Sequence, residues 1–282
     1  MRSFLTRIIA YIFGRSEGTA PKHSEVWQSE WSVFLEKTVS FYQNLTVSDR
    51  TLFERRALLF LHSTAVEGCV AVEVTDEDRL LVAASAIIPV WTFPKWHYFN
   101  LNAVYLLPAA FDENFVCSGA ARITGMVGTG PMAGNMALSK PHLHQGFLNS
   151  RDKRNVGIHE FVHLIDMADG ECDGFPERLK AYAYAIPWFE FARQKMNEIV
   201  DNDSNIRDYG ATNTAEFFSV ASEYFFERPQ MLRKKHPELC YALEQFYQQN
   251  VDEIKNDRKF RKNSPCPCGS GKKYKRCCFV ES

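Results

Sequence analysis

No stretch of this sequence is apolar for long enough to span a bilayer, which sets aside a transmembrane helix. Neither charge sign prevails: 33 basic residues face 34 acidic ones, for a formal net charge of -1. A chain so balanced has no global field to draw it onto nucleic acid or an anionic membrane. DNA binding is therefore not expected, and any nucleic-acid contact would need a local patch. Internal repeats and low-complexity tracts are lacking too. The glycine-rich stretch from Gly125 to Gly134 ends in Pro131-Met132-Ala133-Gly134 and not in the Gly-Lys-Ser/Thr of a phosphate loop, so it reads as a loop leading into a strand. At the start, Arg2 and Arg7 precede an apolar run of only about seven residues with no small-x-small cleavage site after it. That segment is expected to be a frayed tail with some apolar contacts, or a short amphipathic piece lying at an interface.

What is present is the make-up of a globular protein. Hydrophobic residues are 45% of the 282, enough for a sizeable core without covalent staples. Residues 15 to 23 read as a linker by their Gly, Pro and polar content. From Val26 to about His62 the pattern is helical, with a break at Asn44–Asp49. Thr46 with Asp49, and Thr75 with Asp78, have the spacing of helix-opening capping boxes, and Pro89 closes the second helix. Strands are expected at 103–107 and 135–139. Helices, then a patch of strands, then helices again argue an α+β fold with a small mixed sheet.

The chemistry is concentrated in His159-Glu160-Phe161-Val162-His163. Asn149 or Ser150 is the expected cap of a helix carrying this run and stopping at Gly170. Histidines four apart stack on one helical face, so both imidazoles can aim at one zinc ion. Glu160 is offset in angle, so it reaches a water at the metal and not the metal itself. This is the His-Glu-x-x-His (HExxH) arrangement of zinc peptidases, with the glutamate as general base. The helix is apolar on its other sides, and buried polar groups need partners that a metal supplies.

A catalytic zinc needs a third protein ligand and leaves one position open. No histidine follows at the metzincin spacing, because His163 is followed by Leu-Ile-Asp-Met-Ala-Asp-Gly. The aromatic-rich run from Asn213 to Phe226 reads as a helix with Glu216 and Glu223 two turns apart on one face. Glu216 is the expected ligand and Glu223 the alternative, since carboxylates on an apolar helix seldom go unpaired. Asp166 is the nearest candidate to hold a zinc-bound histidine from behind, or else a surface charge at the helix end. His142 and His144, following a proline, are read as packing a loop and not as ligands.

These residues carry a resemblance. His159–Asp166, Tyr209–Glu216 and Ser222–Phe226, with Leu107–Phe111 and Ser139–Phe147 ahead of them, resemble the Mlc titration factor A family of zinc peptidases over most of residues 25 to 250. The resemblance implies a zincin-like domain in which His159, His163 and Glu216 bind zinc and Glu160 is the catalytic base. The catalytic fold is similar to that of anthrax lethal factor, where a tyrosine seven residues before the ligand glutamate assists; Tyr209 stands at that spacing and could donate to the developing oxyanion. The thermolysin aspartate four residues past that glutamate is here Val220. Residues 135–139 are the expected edge strand for an extended peptide substrate. The family's name also implies a second possibility: sequestration of a transcriptional repressor, with peptidase activity secondary.

Of the eight cysteines, Cys69, Cys117, Cys172 and Cys240 are scattered and fit buried small hydrophobes of a reducing compartment. Cys266, Cys268, Cys277 and Cys278 are two close pairs, and Gly269 and Gly271 permit the turn that brings them around one tetrahedral zinc. This run closely resembles the SEC-C motif at the end of the SecA ATPase. Lys272, Lys273, Lys275 and Arg276 either neutralise the thiolate centre or meet a protein, chaperone or ribosomal partner. The expected organisation is an N-terminal segment and linker (1–23), a zinc metallopeptidase domain (24–255) and a zinc knuckle (260–282). It would hold one catalytic and one structural Zn2+ and act on peptides or proteins in the cytoplasm.

Overall fold

The computed structural model describes residues 26–69, 71–128, 132–149, 152–176 and 188–250, together with 272, 273 and 276. The N-terminal segment and the four C-terminal cysteines lie outside the described residues. Helices α1 (Ser29–Thr38), α2 (Ser40–Gln43) and α3 (Val47–Ser63) come first. The break between α2 and α3 falls where expected: the Thr46 hydroxyl accepts the Asp49 N–H at 3.2 Å and opens α3. Strand β1 (Ala65–Gly68) follows, then α4 (Asp76–Ile87), which starts on a full capping box of Thr75 and Asp78. Pro89 turns its end into a single 3-10 turn.

Strands β2 (Ala103–Leu107), β3 (Gly125–Val127) and β4 (Asn135–Ser139) complete a sheet of order β1-β2-β4-β3. β1, β2 and β4 are parallel and β3 is antiparallel to β4, so the sheet is mixed and small, as expected of an α+β protein. Two expectations about it are corrected. β4 is not an edge: β2 and β3 pair with both of its sides, and the edge is β3, hidden in what had read as a glycine loop. β1 also went unread, because four residues are too short to show alternation.

Alternation along β2 divides the core. Val104 and Leu106, in register with Met136 and Leu138 of β4, face the helices and join the main core cluster. Leu107 and Ala137 face the other way, into a small second cluster with Phe111 and Phe115.

Helices α5 (Lys140–Leu148) and α6 (Val156–Asp166) follow the sheet. His142 and His144 therefore sit on a helix and not in a loop, because Pro141 at its first turn starts one. Asn149 ends α5, and the cap of α6 is Asn155, whose side chain accepts the Ile158 N–H at 3.0 Å. The intervening chain passes through Lys153 with φ of 61°, which no helix running on from Asn149 could contain. Gly170, with φ of 100°, closes the 3-10 turn after α6. After α7 (Trp188–Val200) come a 3-10 turn at Asp208–Ala211, α8 (Thr214–Glu227), α9 (Pro229–Lys235) and α10 (Pro237–Tyr247). Every residue of α6 from Gly157 to Asp166 is buried, as is α8 from Phe217 to Glu227. These two helices cross the middle of the core side by side. Among the described residues, no helix is long and apolar enough to cross a membrane.

Candidate metal centre

Helix α6 presents His159 and His163 one turn apart, and the start of α8 brings Glu216 to them. The Asn213 side chain caps α8 by accepting the Glu216 N–H at 2.8 Å, which fixes where the Glu216 side chain leaves the helix. His159 Nε2 lies 3.0 Å from Glu216 Oε2 and 3.1 Å from His163 Nε2; the third side of the triangle, His163 Nε2 to Glu216 Oε2, is 3.4 Å.

The outer nitrogens decide what this triangle can hold. His159 Nδ1–H donates to the acceptor-only Glu223 Oε1 at 2.8 Å, and His163 Nδ1 lies 3.3 Å from the Ser219 hydroxyl, which can accept a proton from it. With the protons on Nδ1, both Nε2 atoms turn bare lone pairs toward the Glu216 carboxylate. Three lone pairs at this separation need a cation between them. Tetrahedral zinc with bonds of about 2.0–2.1 Å has ligand–ligand edges of about 3.3 Å, so the donor set fits that ion. Without a metal the same need falls on a proton. Burial opposes a charged His159, but Glu223 and Glu216 outweigh it and raise its pKa to about 10. Burial likewise opposes ionised Glu216, yet His159 and His163 hold its carboxyl far below the usual range.

Glu223 does not join the triangle. It is 1% exposed and saturated elsewhere: Oε1 takes His159 Nδ1–H and the Arg207 guanidinium, and Oε2 takes the Asn155 N–H at 2.6 Å. The residue weighed as an alternative ligand thus clamps the back of His159 and ties the cap of α6 to α8. Asp166 is fully buried, so it is no surface charge; it accepts the Gly174 N–H at 2.9 Å and bonds Cys172, whose sulfur lies 3.7 Å from His163 Nδ1, so it reaches that histidine only through Cys172. It anchors the loop after α6 against α8, where Thr214 donates to the Asp173 carbonyl. Burial raises the Asp166 carboxyl to about 6. Cys172 in this loop is exposed, against the expectation for the scattered cysteines, whereas Cys69 and Cys240 are buried.

Glu160 lies beside the triangle, 6% exposed, and burial raises its carboxyl above the ordinary range while His159 and His163 pull it back. Tyr209, on the turn before α8, has its ring centroid 5.9 Å from that of His159 and its phenol raised to about 12 by burial and by the Glu216 charge. The two meet in a cleft of about 770 Å3, walled by the run into β3, by α5, and by Arg207 and Tyr209. Gly125 on β3 is in register with Leu138, whose side chain faces the helices, and a Cβ there would come within 2.5 Å of Glu160 Oε1 and 2.6 Å of Val156 Cγ2. Only glycine lets the edge strand approach this helix so closely. Gly125→Ala should therefore displace Glu160 and lower any hydrolytic kcat at least tenfold while metal content stays at the parent level; unchanged kcat would mean that the strand simply moves aside.

Arg207, Asn155, Ser219 and Gly125 escaped the sequence reading. The signal for Arg207 was its position two residues before Tyr209; the others have none without the fold.

Two imidazoles and a carboxylate placed to hold a cation, with a second buried carboxylate alongside, are a donor set of the kind metallopeptidases use. Comparison with known proteins places the chain in a family named for that class. It belongs to the glucose-regulated metallo-peptidase M90 family, whose model matches residues 15–248. The SEC-C motif model matches residues 263–279. Among similar proteins are Mlc titration factor A of Salmonella arizonae, 35% identical over 223 residues (74% of this chain, 87% of that one), and of Salmonella choleraesuis, 34% identical over 246 residues (82% and 91%). An uncharacterised protein of Synechocystis, slr2042, is 29% identical over 259 residues (87% and 94%).

Proposed function

We propose that this chain is a zinc-dependent peptidase with a zincin-like catalytic domain over residues 24–255, in which His159, His163 and Glu216 hold the metal. The observation that carries the reading is the triangle of three lone-pair donors at 3.0, 3.1 and 3.4 Å with Glu160 buried beside it. A zinc ion there supplies Lewis acidity toward water and the scissile carbonyl. The chain's own residues do the rest. Glu160 takes a proton from the attacking water, whose oxygen bonds to the carbonyl carbon; as the C–N bond breaks, Glu160 returns the proton to the leaving amine. Tyr209 donates a hydrogen bond to the oxygen on which negative charge develops. Edge strand β3, beside Glu160, pairs with β4 on one side, and an extended peptide can lie along its other side.

The remaining parts of the reading are a Cys266, Cys268, Cys277, Cys278 zinc knuckle over residues 260–282 behind an N-terminal segment over 1–23, and work in the reducing cytoplasm. The relatives' name supports a second reading, in which the chain binds and titrates a protein partner such as a repressor. Intact Glu160 favours the peptidase, since sequestration needs no general base.

Chelation tests the peptidase reading. Peptide hydrolysis should vanish when the metal is stripped and return with one equivalent of Zn2+ at the main site; hydrolysis that persists in fully metal-free protein would overturn it. The knuckle makes a separate prediction. Removing residues 260–282 should cost one of two bound zinc ions and leave hydrolysis largely intact, because the ligands of the two sites do not overlap. Elemental analysis with one activity assay checks both. A single zinc in the whole chain, or activity lost with the tail, would show the sites to be dependent.

A further inference from the structure

Around the start of α6, beside the cleft, cations outnumber the carboxylates near them. Arg154, two residues ahead of α6, lines the cleft; it is exposed, and its guanidinium has no hydrogen-bond or ion-pair partner among the described residues. Lys153, Arg207 and Arg228 gather near it. Their crowding is visible in Lys153, whose pKa is lowered by burial and then by the charges of Arg228, Arg207 and Arg154. Three acids, Asp152, Glu223 and Glu227, stand against these four. Glu223 is already engaged by His159, Arg207 and the Asn155 N–H, and Asp152 accepts from Asn149 and from the Arg154 N–H. Glu227 is buried as well, and burial, then Asp152 and Glu223, raise its carboxyl above the usual range against the pull of Arg207. On the run that leads into β3, Arg122 also lines the cleft, and its guanidinium donates to the Gly119 and Ala121 carbonyls and, among the described residues, to no carboxylate. At the metal, a divalent cation would balance Glu216 and Glu160, which leaves Arg122, Arg154 and Arg207 in the cleft lining against Asp152 and Glu223.

We propose that this part of the cleft is a carboxylate subsite: the cleft selects peptides that carry a carboxylate, from an acidic side chain or a free C-terminus, seated on Arg154 with Arg122 as a second cation. The inference rests on the peptidase reading and deepens it by naming a substrate class. A guanidinium is a planar fork matched to a carboxylate, and Arg154 holds that fork idle in a cleft of a volume that suits a short peptide segment.

The test uses full-length, zinc-loaded protein carrying Glu160→Gln, which should hold a peptide without cleaving it. Fluorescein-labelled extended hexapeptides are titrated in matched pairs, with Glu against Gln scanned through each position and with a C-terminal acid against its amide. In at least one pair the carboxylate member should bind about five- to tenfold more tightly at low salt. That advantage should shrink as salt rises. Arg154→Gln should abolish most of it and Arg154→Lys should keep part; the side chain is exposed, so folding is not at stake. A gain in the Glu scan identifies an acidic side chain, and a gain only in the acid–amide pair identifies the chain terminus. Equal binding within every pair, or tighter binding of the uncharged members, overturns the proposal. Wild-type hydrolysis of the same peptides separates the two readings. Peptides bound with this preference yet never cleaved would sink the peptidase reading alone, and cleavage indifferent to carboxylates would sink the subsite alone.

Discussion

Glu160→Gln should lower kcat for peptide hydrolysis by about 10²–10⁴-fold, the usual loss on removing a positioned general base. The same variant should keep its full complement of metal at His159, His163 and Glu216. Both halves follow from where the side chain sits. Glu160 is next to the donor triangle in sequence, but the three short edges run between the two Nε2 atoms and Glu216 Oε2, and Glu160 contributes no atom to them. Glutamine has nearly the same shape, so the close contact with Gly125 survives, but an amide cannot accept and return a proton. Burial adds to the effect. It raises the carboxyl above its ordinary range against the pull of His159 and His163, which brings the base nearer to a working pH. Activity assays and metal analysis on one preparation read both halves. Near-parental turnover would remove Glu160 from the chemistry, and loss of metal would mean that it helps to hold the ion.

Much of this centre was legible in the sequence because its logic is local. A spacing of four on a helix puts His159 and His163 on one face in any fold, and a carboxylate between them has few other uses on so apolar an element. Glu216 and Glu223 were legible as a pair, seven residues apart on one face of an aromatic helix. Glu216 was preferred over Glu223 as ligand, but what Glu223 does instead was not legible, because it depends on which side of the His159 ring each one meets, and that is set by the packing of α8 on α6. Asp166 was misread for the same reason: a polar residue at a helix end looks solvated until the next loop folds over it. The sheet was half legible. β2 and β4 are five-residue runs rich in apolar side chains, whereas β1 and β3 are short and glycine-containing, and they exist because neighbouring strands give their backbones partners. The edge assignment failed with them. Once β3 was taken for loop, β4 appeared to be the sheet's margin.

The division between the two glutamates sets up the second large effect. Glu216→Ala removes one of three donors, so metal affinity should collapse by far more than the loss in Glu223→Ala. For Glu223→Ala the expected loss is about 10–100-fold, the range for a partner that orients a ligand from behind. Glu223→Ala should differ in kind as well. It strips an acceptor from the buried Asn155 N–H and a counter-charge from Arg207, so it should lower folding stability, by about 1–3 kcal/mol for the unsatisfied N–H alone. Glu216 is partly exposed at the first turn of α8 and binds no backbone group through its side chain, so its alanine variant should unfold near the parent once both are metal-free. Glu223→Gln discriminates further. Its one carbonyl can serve either His159 Nδ1–H or the Asn155 N–H but not both, so it should recover part of the affinity and part of the stability. Chelator competition for zinc and denaturant melts of the metal-free forms, run on all three variants, measure these quantities separately. If Glu223→Ala released zinc more completely than Glu216→Ala at equal fold stability, the third ligand would be Glu223, and another acceptor would have to hold the His159 Nδ1–H.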